Sequence, residues 1–194
     1  MTEYNRNPII KSDLIPAEIV FHPSWWHRHT GITFDEDFFY HPQKRIESER
    51  RMEQELYERF GLYGHGKDRG KDLPVIGAVH NAAGYILSEM LGCKVIYQED
   101  SAPQVIPLQQ DKLTVNVEEA FKSPAFKRLI TLRDELKTKY GYITGDINWG
   151  GVLNIALDLA GEKVLMDFFT EPEKTKKSFI EIAALIREVC YWNC

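Results

Sequence analysis

Short apolar runs alternate along this chain with longer segments of helical periodicity, and that alternation limits the possible folds more than any other feature. Glu18-Ile19-Val20-Phe21-His22 reads as a strand stopped by Pro23, since β-branched and aromatic residues suit a pleated surface and proline ends a ladder. Lys94-Val95-Ile96-Tyr97, Gln104-Val105-Ile106 and Tyr142-Ile143-Thr144 read the same way. Helices fall between them. One opens at Pro42 and runs to about Phe60, with Met52, Leu56 and Phe60 on one stripe and Lys44, Arg45, Glu49, Arg50 and Glu53 on the other face; Gly61 is placed to stop it. A second spans roughly 78–91. A third starts at Ser123-Pro124, a capping serine and a first-turn proline, and continues through Leu129, Leu132 and Leu136. Helical patterning resumes at Val152, breaks near Gly161, and restarts at Thr170-Glu171-Pro172-Glu173 with an apolar face of Phe179, Ile182, Ala183, Ile186 and Val189. Residues 1–16 read as a polar lead-in, 23–31 as an irregular loop and 61–73 as a mobile connection. Crossover helices between short apolar strands imply α/β architecture with a parallel sheet, in a barrel or a doubly wound layer.

Composition narrows the function. The 24 basic and 29 acidic side chains give a formal charge of −5, which argues against general nucleic-acid binding. No apolar run reaches the roughly 18 residues of a membrane span, and the opening Met1-Thr2-Glu3-Tyr4-Asn5 lacks a signal peptide's apolar block. Cys93, Cys190 and Cys194 have no paired ligand spacing, so neither a disulfide framework nor a cysteine-rich zinc site is indicated. A cytoplasmic location is the expectation. No Gly-x-Gly-x-x-Gly or Walker pattern is present, which argues against a nucleotide site.

The stretch Gly150-Gly151-Val152-Leu153-Asn154-Ile155-Ala156-Leu157-Asp158-Leu159-Ala160-Gly161-Glu162, followed by Leu165-Met166-Asp167-Phe168-Phe169-Thr170-Glu171-Pro172-Glu173, resembles the uroporphyrinogen decarboxylase superfamily. Tyr57-Glu58-Arg59-Phe60-Gly61 and Glu89-Met90-Leu91-Gly92-Cys93 resemble that family in kind and order, so the likeness runs over about residues 17–190. It implies a TIM-type (β/α)8 barrel, of which residues 17–194 would form the N-terminal, incomplete part. Such barrels need at least about 200 residues, with about 250 typical. A half-barrel leaves strand edges and helix faces uncovered. A second polypeptide that completes the barrel, or a homo-oligomer, is therefore expected. The alternative is a self-contained α/β domain.

Catalytic groups of α/β barrels sit at the carboxyl ends of strands. The run His22-Pro23-Ser24-Trp25-Trp26-His27-Arg28-His29 concentrates indole and imidazole: Trp25 and Trp26 can wall a pocket, while His27 and His29 can move a proton. On an extended segment His27-x-His29 would also face one ion, but no third ligand is visible and no metal is assigned. Asp146, at a strand end, can act as a base or orient a histidine, with Asn148 and Trp149 adding an amide and a flat wall; helix capping is the plainer role for Asp146. His80 could reach a substrate from the mouth of the second helix, although a lone histidine there is more often structural.

The true decarboxylase's arginine-bearing opening motif is replaced here by Phe21-His22-Pro23-Ser24-Trp25-Trp26, and only Arg28 remains for a polyanion. The resemblance therefore points to the methyltransferase branch, which passes a methyl group between a small substrate and a corrinoid (cobalamin) held by a partner protein. Zinc in that branch is bound by residues of the other half, so it would enter only through a second chain. A decarboxylase or other lyase acting on a small carboxylic acid, and a non-catalytic subunit that shapes a pocket, are the alternatives.

Overall fold

A computed structural model describes residues 19–66, 72, 74–77, 85–146 and 150–193. Among the described residues the first element is α1 (Pro23–Thr30), which overturns the expected strand and loop: residues 19–22 form no strand, and the run after them is helical. Caps explain it. His22 accepts the Ser24 amide at 3.2 Å, Pro23 fits the first turn, and Gly31 closes the helix in the left-handed region at φ 70°. Pro23, Trp26 and Thr30 then share the buried side.

Asp35 caps α2 (Glu36–Tyr40), and His41 caps α3 (Pro42–Phe60) by accepting the Lys44 amide at 3.2 Å. α3 has the expected span. Its buried side includes Arg45, which the sequence pattern places on the solvated face; only 1% of that residue is exposed. Its guanidinium pairs with Glu49 at 3.0 Å and lies 4.6 Å from the Phe38 ring centre, so the charge is neutralised inside. At Gly61 the chain tightens into a 3-10 turn, Gly61–Tyr63, and the left-handed residue is Gly64 at φ 84°.

The strands correct the expected all-parallel rim. β1 (Val75–Gly77) is unforeseen. After it come α4 (Ile86–Met90), β2 (Lys94–Ile96) and β3 (Gln104–Ile106), and β2 pairs with β3 antiparallel. Seven residues separate those two strands, too few for a crossover helix. The rest of the expected second helix, 78–84, lies outside the described residues. α5 (Val117–Lys122) leads into α6 (Pro124–Tyr140), capped by Ser123 as expected, with Leu129, Leu132 and Leu136 buried. β4 (Thr144–Asp146) then pairs parallel with β1, in the register Val75↔Thr144, Ile76↔Gly145, Gly77↔Asp146. Gly145 is required at this crossing: a Cβ there would stand 2.2 Å from the Ile76 carbonyl oxygen and 2.6 Å from its Cγ2.

α7 (Val152–Ala160), α8 (Lys163–Thr170) and α9 (Pro172–Asn193) complete the described fold, with Gly161 at the expected break. The core joins Phe34 and Phe38, Leu87 of α4, Leu136 of α6, Ile155 and Leu159 of α7, and Ile182, Leu185 and Val189 of α9, all fully buried. On α9, Ala183 is exposed and Leu185 takes the inward place. Among the described residues the architecture is mixed α/β and helix-dominated, with one small parallel pair and one antiparallel pair.

Candidate functional site

The parallel pair positions one end of the fold. Gly77 and Asp146 are register partners at the carboxyl ends of β1 and β4. Asp146 thus ends a strand, two residues later than the sequence pattern sets that strand's close. His80, Asn148 and Trp149 lie outside the described residues.

The aromatic run gathers elsewhere, on α1 against the end of α3. The Trp25 ring centre lies 4.5 Å from Phe21, 4.9 Å from Trp26, 4.7 Å from His29 and 6.4 Å from Phe60. Trp26 is 3% exposed and belongs to the core, whereas Trp25 keeps a partly open face under the Arg59 guanidinium at 5.8 Å. The half-buried His27 donates through Nδ1 to the Ile32 carbonyl at 3.2 Å. His29 stacks one turn from Trp25. On a helix, positions i and i+2 point to different sides, so His27 and His29 do not face one ion. Among the described residues, no group of three or more His, Cys, Asp or Glu side chains could hold a metal.

Two polar centres escaped the sequence pattern. In the first, the Arg128 guanidinium of α6 lies over Tyr40, its central carbon 3.7 Å from the ring centre, and bonds Glu89 of α4 at 2.8 Å and Glu36 of α2. The Tyr85 and Tyr97 rings stand 5.8 Å apart beside it. Burial raises the Glu89 carboxyl above its ordinary range, against the pull of Arg128, and burial keeps both phenols protonated. In the second, fully buried Ser88 donates to Asp158 at 2.6 Å, and the Cys93 thiol lies 3.5 Å from the Asp158 carbonyl. Burial pushes Asp158 up, and it pushes the Cys93 thiol up to about 12, so that sulfur is an inert packing group. Partners 39 to 92 positions apart in the chain leave no local pattern to read.

Described residues also form open clefts. One, of about 370 Å3, runs between residues 111–115 and α8–α9, with Leu113, Val115 and Val164 as its apolar lining and Lys112, Lys174, Asp167 and Glu171 among its charges. Another, of about 380 Å3, is lined by Gln43, Ile46, Glu47, Arg50, Asp72, Lys139 and Tyr140, with Arg50 and Asp72 ion-paired. Neither is lined by Trp25, Trp26, His27 or His29. No helix among the described residues is long and apolar enough to cross a membrane.

No protein-family model matches the chain, and no curated protein sequence matches it. A solved structure, a methyltransferase from Methanosarcina mazei, is similar with a TM-score of 0.51 and 13% sequence identity. The match covers 90% of this chain and 49% of that one. At that identity the likeness concerns the fold. The chain shares its architecture with a methyltransferase and spans about half the length of the structure it matches.

Proposed function

We propose that this chain is half of a methyltransferase of the uroporphyrinogen decarboxylase-like type, working in the cytoplasm and completed as a (β/α)8 barrel by a second polypeptide. It would move a methyl group between a small substrate and a corrinoid carried by a partner protein. The observation that carries the reading is the fold match: nearly all of this chain lies over about half of a methyltransferase, with β1 and β4 side by side and Gly77 opposite Asp146.

The corrinoid would supply a cobalt-bound methyl group, and this chain would bind and orient the methyl acceptor. Such a transfer gains most from a dry pocket that aligns the reacting atoms. Asp146 is proposed to take the proton that the acceptor loses on methylation, with Asn148, Trp149 and His80 holding the substrate near the strand ends. Trp25 is proposed as a second wall, backed from the core by Trp26, and His27 and His29 as proton-moving groups. A non-catalytic, pocket-shaping half is the second reading. It is favoured by the packing of Trp26 into the core and the commitment of the His27 Nδ1 proton to Ile32.

Product analysis decides between them. The chain is mixed with a polypeptide corresponding to the other half of the fold, methylcobalamin and a panel of small thiols, and loss of the cobalt–carbon absorbance is followed. Methylated thiol formed only with both halves supports the proposal. Carbon dioxide from small carboxylic acids without corrinoid demethylation would replace it with a lyase. Full activity of the complement without this chain would refute both readings, whereas activity that needs this chain but is unchanged by Asp146→Asn leaves the pocket-shaping reading.

A further inference from the structure

We draw no further inference here: the strongest candidate, the exposed apolar surface patch of Leu165, Met166 and Phe169 on α8, carries none because nothing in the structure shows what covers it.

Discussion

Gly145→Ala is the sharpest perturbation of the structure that positions the candidate site. The added methyl would stand 2.2 Å from the Ile76 oxygen, about 1 Å inside an ordinary C···O contact of about 3.3 Å. Because that oxygen belongs to the main chain, no rotamer change relieves the overlap, and β1 and β4 must part. Overpacking of this kind costs about 1–3 kcal/mol, and weakening one or two ladder bonds adds about 0.5–1.5 kcal/mol each. The loss of backbone freedom in the unfolded chain returns about 0.4–1 kcal/mol. The net is a destabilisation of about 0.5–5.5 kcal/mol with a centre near 3 kcal/mol, which at that centre is a fall of roughly 6–12 °C in Tm. Urea and thermal denaturation of Gly145→Ala would measure it. Ile76→Ala in the same chain is not expected to rescue it, since the nearest atom remains. Gly141→Ala serves as a control: its Cβ meets nothing within 4 Å, so only its left-handed φ of 77° is at issue. A Gly145→Ala protein within 0.5 kcal/mol of the parent, a margin near the scatter for neutral surface changes at about that size, would refute the close crossing of the two strands.

Other consequences concern single side chains. Leu136→Ala, at a fully buried position of α6, should lose about 2–5 kcal/mol in urea denaturation. His41→Ala should lose about 0.5–2 kcal/mol, the worth of an N-cap, and His41→Ser should recover most of it. Two carboxylates should answer to pH with opposite signs. Burial raises Asp158, so its contribution is fully present below the unfolded carboxyl's range and is lost as pH rises through the folded value; Asp158→Asn, which still accepts from Ser88, should stabilise at neutral pH by an amount that shrinks in acid. Burial also acts to raise Asp35, but hydrogen bonds from Lys44, the Phe38 amide and Thr33 outweigh it and hold the carboxyl below its ordinary range. Its contribution is present above the unfolded range and is lost as pH falls, so Asp35→Asn should destabilise at neutral pH and become neutral in acid. Melting curves across pH for the two variants check both signs.

Much of the helical layout was legible in the sequence because it rests on neighbours within a turn or two. Ser123 with Pro124, the Pro42 start and the Gly161 break are local signals, and the helices begin or break where those signals stand. α1 was missed for the converse reason: its indoles and imidazoles obscure the apolar period, while a histidine cap and a proline set the helix. Strand direction was not legible. Val95 and Val105 look like members of any sheet, and only the short link between them fixes their antiparallel pairing. β1 is too short to show a period, and it exists because Gly145 lets β4 approach it. The candidate site divides along the same line. The place of Asp146 near a strand end was legible to within two residues because a strand end is a local signal, whereas the Arg128 and Asp158 centres depend on distant helices meeting, which residue spacing does not encode.

The rate of methyl transfer from methylcobalamin to a small thiol, compared between the two-half assembly and the same assembly carrying Asp146→Asn, tests the central claim most directly. A fall of about 10²–10⁴-fold, with assembly and Tm unchanged, is the expected result for a proton acceptor at the end of β4. Equal rates in the two assemblies would contradict a reacting site at the paired ends of β1 and β4.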